Sequence, residues 1–159
     1  MIVRIGFGVD VHRLAPGIPL FIGGVEIPSD IGAVGHSDAD VLLHAICDAI
    51  LGAANLRDIG HHFSDKDPQY KGIDSKILLA NVVDLMKSHD YTLVNLDSTV
   101  ILEYPKLNPH IPQMQSIIAE LLEVDIDAVS IKATTHERVD SFGEGLAIKA
   151  YATVLLQKH

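Results

Sequence analysis

Cysteine occurs once in these 159 residues, at Cys47, and tryptophan not at all. A single thiol excludes an internal disulfide and fits a reducing compartment, so a cytoplasmic location is expected. It also excludes the thiolate-rich ligand sets of structural zinc sites. Positive charge is scarce too: 12 Lys and Arg stand against 21 Asp and Glu, a net charge of −9. Nonspecific nucleic-acid binding needs a basic face, so nucleic acid is not an expected partner. An anionic small substrate stays open, because a metal and a few local donors can reverse the field inside one cleft. Hydrophobic residues make up 48% of the chain, yet no apolar run approaches the ~20 residues of a membrane span. Neither a membrane partner nor a signal peptide is expected, since the chain passes almost directly into a strand. No repeat, low-complexity tract or linker divides it, and residues 1–159 read as one domain.

Hydrophobic periodicity predicts strands over Ile2 to Val11, Leu20 to Ile22 and Val25 to Ile27, with Pro16-Gly17 and Gly23-Gly24 as turns. Helices are predicted over about Asp38 to Ala54, Asp74 to Ser88 and Ile111 to Glu123. Ser37 reads as the N-cap of the first, with Asp40 in a capping-box-like position. Strands are predicted over Thr92 to Glu103, Val129 to Thr135 and Gly145 to Leu156. This order fits an α+β fold, a mixed β-sheet with helices packed on one face. Leu146, Ile148, Ala150, Ala152 and Val154 make the other sheet face apolar in places. Such a face on a small domain needs a partner, so an oligomer is expected.

The histidines and carboxylates concentrate in two stretches, Gly8 to His12 and His36 to His44. Residues i and i+2 of a strand share a face, so Asp10 and His12 can approach one ion together. His44 lies one helical turn after Asp40, and three N/O ligands with an open fourth position are what catalytic zinc uses. His36, Asp40, His44 and Asp48 recur every four residues and form one polar stripe on an apolar helix. A polar stripe is often just a solvated face, but this one lacks Lys, Glu and Gln. Its residue types favour metal binding or catalysis. Asp58 to Gly72 reads as a long functional or mobile loop. Its aspartates suit hydroxyl recognition or simple capping, and His61 and His62 are expected to be exposed. Lys106, between two prolines, either grips an anion or is an ordinary surface lysine.

Several motifs occur in a fixed order. They are Asp10-Val11-His12, His36-Ser37-Asp38-Ala39-Asp40-Val41 with His44, and Asp58-Ile59-Gly60. Phe63 to Pro68, Lys71 to Ser75, Pro105-Lys106, His110 to Met114 and Lys132-Ala133-Thr134-Thr135 follow. Together they resemble the 2-C-methyl-D-erythritol 2,4-cyclodiphosphate synthase family over nearly the whole chain. The resemblance implies an intramolecular phosphoryl transfer in the methylerythritol phosphate route to isoprenoid precursors. The 2-phosphate of 4-diphosphocytidyl-2-C-methyl-D-erythritol 2-phosphate attacks the β-phosphorus, closing a cyclic diphosphate and expelling CMP.

The same resemblance implies roles residue by residue. Asp10, His12 and His44 would hold Zn²⁺, with Asp10 and His12 also lining the substrate site. His36 and Thr135 would be the catalytic pair that stabilises the five-coordinate phosphorus. Ser37 would help hold phosphate, and Asp58, Gly60 and Asp65 the methylerythritol unit, flanked by Ile59, Phe63, Ser64, Lys66 and Asp67. Tyr104, Pro105, Lys106, Leu107, Asn108, Ala133 and Thr134 would surround the cytidine and its phosphate, with His136 beside them. Glu137 would help hold Mg²⁺ or Mn²⁺. The implied assembly is a homotrimer through the sheets, with active sites between adjacent subunits. The resemblance breaks at Glu137 to Phe142, a stretch shorter than usual with Phe142 where the family carries Arg. Two other readings are a generic metal-dependent phosphohydrolase and a trimeric small-molecule binding protein.

Overall fold

Alternation along the first strand decides how the domain is layered. In the computed structural model, which describes residues 2–159, β1 runs Ile2–Pro16 with its even positions turned inward. Gly6 and Gly8 lie on that inward face, where a Cβ would sit 1.8 Å from Ala49 O and 1.9 Å from Ala45 O. Helix α1 (Val41–Ala53) therefore packs main chain to main chain against the strand, a closeness that only glycine permits. The odd positions face away: Ile5 is 75% exposed and Phe7 61%, with Val9 and Val11 also exposed.

The remaining elements are β2 (Leu20–Ile22), β3 (Val25–Ile27), β4 (Ile31–Ala33), α2 (Ile59–His62) and α3 (Ser75–Ser88). They continue with β5 (Tyr91–Ile101), α4 (Ile111–Leu122), β6 (Val129–Thr134), α5 (Asp140–Gly143) and β7 (Ala147–Lys158). The main sheet has the order β4-β1-β7-β5-β6, and β2-β3 forms a separate hairpin. Only the β5–β6 pair is parallel, so the sheet is mixed. Helices α1, α3 and α4 cover one face, and the fold is a single α+β domain. Among the described residues no helix is long and apolar enough to cross a membrane.

Three expectations change. Ser37 is not the N-cap: Asp40 is, accepting Leu43 N–H at 3.0 Å. Ile148, Ala150, Ala152 and Val154 are buried on the helix-covered face, since they pair with His12, Asp10, Gly8 and Gly6. The bare apolar face is carried by β1 instead, beside the exposed Leu146. The segment expected as a long loop carries short helical elements, α2 and a 3₁₀ turn at Pro68–Tyr70.

Candidate active site

The close approach of β1 to α1 brings Asp10, His12 and His44 together. His12 Nε2 lies 2.7 Å and His44 Nδ1 3.1 Å from the same oxygen, Asp10 Oδ2. One ligand atom from each of the three falls within 4.8 Å of the others, so the group can hold a metal ion. His12 Nε2 is buried, and despite its closeness to Asp10 it lacks hydrogen-bond geometry. A buried ring nitrogen without a partner is costly, and a shared cation would satisfy it. The nitrogen, nitrogen and oxygen donor set fits zinc. The other ring nitrogens are already engaged. His12 Nδ1 lies 3.1 Å from Val34 O, and His44 Nε2 lies 2.8 Å from Ser75 Oγ and 3.2 Å from Ser37 Oγ. Burial pushes the Asp10 carboxyl up, but the two adjacent imidazoles outweigh it and hold the pKa at about 2. Burial lowers the His44 pKa, yet Asp10, with the carboxylates of Asp40 and Asp38 behind it, raises it overall.

The polar stripe separates into distinct jobs. Asp40 is fully buried and does not face the cluster. It accepts N–H bonds from Gly23 (2.9 Å), Gly24 (2.7 Å) and Leu43 (3.0 Å), tying the β2–β3 turn to the start of α1. Burial raises its pKa. Asp48 accepts Ile59 N–H at 2.8 Å and anchors α2. Ala39, in the left-handed region at φ 56°, turns the chain so that Asp38 and Asp40 hold different parts of the fold. Cys47 is buried.

Above the cluster opens a cleft of about 410 Å³. Of the expected site residues, His36, Ser37, Ile59, Gly60, Phe63 and Asp65 line it with the three metal-competent groups. Tyr70, Ile73 and Leu78 line it as well, which the residue pattern gave no reason to expect. His36 Nε2 reaches Asp67 O at 3.4 Å. Asp58, Ser64 and Asp67 act locally: they accept N–H bonds from His61, Lys66 and Gln69. Lys66 is exposed. His61 is exposed as expected, whereas His62 is half-buried, with Nε2 2.7 Å from Leu56 O.

A second cleft, about 140 Å³, collects Pro105, Lys106, Leu107, Asn108, Ala133, Thr134 and Thr135. Tyr104 is exposed beside it. Thr135 Oγ1 accepts Glu137 N–H at 3.2 Å and donates to Glu137 Oε1 at 3.2 Å. His136 Nδ1 instead pairs with Asp140 Oδ2 at 2.9 Å. Phe142 lies under Lys149, whose Nζ is 4.2 Å from the ring centroid. Asp10, Ala150, Val100 and Ala133 pair in one row across the sheet. The two clefts thus sit at the same end of one sheet, three strand spacings or about 14 Å apart.

Residues 3–157 match the YgbB family. The chain belongs to that family. It is 60% identical over 153 residues to the 2-C-methyl-D-erythritol 2,4-cyclodiphosphate synthase of Porphyromonas gingivalis (strain ATCC BAA-308 / W83), covering 96% of this chain and 94% of that protein. The bifunctional IspDF from Campylobacter jejuni superposes with a TM-score of 0.96 at 37% identity, covering 99% of this chain and 43% of that longer one. Plasmodium falciparum IspF, solved as a CDP complex, superposes with a TM-score of 0.87 at 33% identity, covering 98% of this chain and 96% of that one.

Proposed function

We propose that this YgbB-family chain converts 4-diphosphocytidyl-2-C-methyl-D-erythritol 2-phosphate to 2-C-methyl-D-erythritol 2,4-cyclodiphosphate and CMP. The observation that carries the reading is the Asp10–His12–His44 cluster flooring a cleft in a chain so similar to a named synthase of this reaction. An oxygen of the substrate's 2-phosphate forms a bond to the β-phosphorus, and the bond from that phosphorus to the oxygen bridging it to the α-phosphate breaks. CMP leaves with the electron pair. The nucleophile belongs to the substrate, so the protein needs no Ser or Cys nucleophile. Its work is to align two phosphates and offset charge in line.

Zinc held by Asp10, His12 and His44 would supply Lewis-acid polarisation of phosphate oxygen. Asp10 and His12 also line the substrate side of the cleft. His36, at the cleft wall, and Thr135, in the second cleft, are the catalytic donors to the phosphorus in flight. Ser37 holds phosphate beside them. Ile59, Gly60, Phe63 and Asp65 receive the methylerythritol unit, with Asp58, Ser64, Lys66 and Asp67 shaping the wall. Pro105, Lys106, Leu107, Asn108, Ala133 and Thr134 take the cytidine end, with Tyr104 and His136 at its border. Glu137 is assigned to the Mg²⁺ or Mn²⁺ that accompanies the diphosphate.

The assembly in this reading is a homotrimer in a cytoplasmic, reducing setting. Its support is the bare Ile5, Phe7, Val9 and Val11 face and the separation of the two half-clefts, which neighbouring copies can join. Incubation with the cytidyl substrate and Mg²⁺, followed by ³¹P NMR, tests the function. A cyclic diphosphate with stoichiometric CMP is expected. Inorganic phosphate release would favour a phosphohydrolase, and no turnover a binding protein.

A further inference from the structure

His12 and His44 are steadied in different ways. His12 Nδ1 meets a main-chain carbonyl, Val34 O. His44 Nε2 meets a side chain, Ser75 Oγ, at 2.8 Å, and Ser75 Oγ in turn meets Asp38 Oδ1. Asp38 Oδ2 also accepts Ser75 N–H at 3.0 Å, and Asp38 Oδ1 accepts Asp40 N–H at 3.1 Å. Ser75 is fully buried at the first position of α3 and meets Asp38 across 37 residues of sequence. The 36–38 segment is further tied to the same region by Asp38 N–H to Ile73 O at 3.1 Å and Gly72 N–H to His36 O at 2.8 Å.

Proton counting fixes the direction of this chain. An ionised carboxylate only accepts, and a serine hydroxyl has one proton to give. Asp38 takes that proton, which leaves Ser75 Oγ presenting lone pairs to His44 Nε2. Ser75 Oγ thus draws the ring proton to Nε2, while Asp10 Oδ2, 3.1 Å from Nδ1, competes for it until a metal takes the Nδ1 lone pair. We propose that Asp38, acting through Ser75, fixes the tautomer and ring orientation of His44 and so tunes the affinity of the Asp10–His12–His44 centre for its metal. Asp38 and Ser75 are positioning residues, because neither touches the ion or the reacting phosphates. Ser37 Oγ, at 3.2 Å from the same nitrogen, is a weaker second acceptor because its lone pairs also receive Ala39 N–H at 3.1 Å. This inference rests on reading the cluster as a zinc centre.

The test is competition for zinc between a chromophoric chelator and the metal-free wild type, Ser75→Ala, Asp38→Asn and the double variant. Each single variant should weaken zinc binding by about 10- to 100-fold, the range for lost partners behind a metal-ligating histidine. The double variant should be little worse than the weaker single, since both changes cut one relay. ¹⁵N NMR of histidine-labelled, metal-free protein at high pH should show a larger Nε2–H fraction for His44 in the wild type than in Ser75→Ala, where Asp10 draws the proton to Nδ1. A merely structural role would not move that signature. Both substitutions are near-isosteric, and a thermal melt of each metal-free variant identifies any that fails to fold, leaving the other to decide. Wild-type affinity and tautomer in a folded Ser75→Ala protein would overturn the proposal, as would losses that multiply in the double variant. A wild type that takes up no zinc would instead overturn the metal reading itself.

Discussion

The cleft floored by Asp10, His12 and His44 is fixed from beneath, whereas the cleft between Lys106 and Thr135 is not. In the first, each metal-competent side chain has a partner behind it or beside it, drawn from β1, α1, α3 and the turn after β4. In the second, Lys106 is exposed and makes no ion pair among the described residues, and Thr135 bonds only within its own turn. Burial accounts for the difference. Side chains partly withdrawn from water are aimed by partners before anything binds, leaving His12 Nε2 open to a cation, while exposed groups can wait for a ligand. One chain therefore carries a preformed half-site and an adaptable one.

The sharpest way to break this contrast is to remove a metal-facing ring. His12→Ala should lose stoichiometric metal by elemental analysis and lower turnover by about 10³-fold, since Lewis-acid stabilisation is worth several kcal/mol. Retained metal and rate would sink the assignment. Next in size is the support beneath it. Gly8→Ala drives a Cβ to 1.9 Å from Ala45 O, a main-chain atom that cannot swing away. A loss of about 3 kcal/mol is expected, visible as a fall in Tm of roughly 6–12 °C. Gly52→Ala, where nothing lies within 4 Å, is the matched control.

Thr135→Ala probes the adaptable half. It should lower kcat by about 10²-fold while leaving metal content and Tm near wild type, because its bond is assigned to the transition state. A change in KM alone would remove Thr135 from the catalytic pair. The smallest effect is electrostatic. His44 has a raised pKa in the metal-free fold, so its stabilisation is fully present below the ordinary value near 6.5 and lost as pH rises through the raised one. Asp10, held at about 2 against a usual 3.8, contributes stability above 3.8 that is lost as pH falls toward 2. Metal-free Tm should therefore decline as pH climbs past about 6.5, while zinc affinity rises over the same window as protons cease to compete. Calorimetry and chelator competition across pH give the two slopes, and His44→Ala should flatten the first.

What could be read from residues alone follows the same divide. Asp10 and His12 share a face by strand geometry, and α1 follows from its apolar run, so the side chains that the fold brings together at Asp10, His12 and His44 are legible in the residues alone. The cap is not. Ser37, Asp38 and Asp40 all suit an N-cap, and only the left-handed Ala39 and the N–H groups of Gly23 and Gly24 select Asp40. The residue pattern points to the wrong strand for the bare sheet face, because Ile148 to Val154 alternate just as β1 does. The deciding residues are Gly6 and Gly8, which mark where a helix backbone touches. Strand β4, Ile31-Gly32-Ala33, holds one large apolar residue and so shows no alternation to detect, unlike the equally short β2 and β3. Ser75 looks like any first helical residue until the fold brings Asp38 beside it.

The contact at Gly6 and Gly8 has a consequence for how this molecule can change over time. Because main chain rests on main chain there, the spacing between Asp10 and His44 is set largely by that backbone contact. Leucines and isoleucines elsewhere in the interior can be exchanged, and the sheet can absorb the adjustment, with little effect on the gap across which an ion is gripped. The two small residues thereby act as a gauge for the gap beneath the cleft.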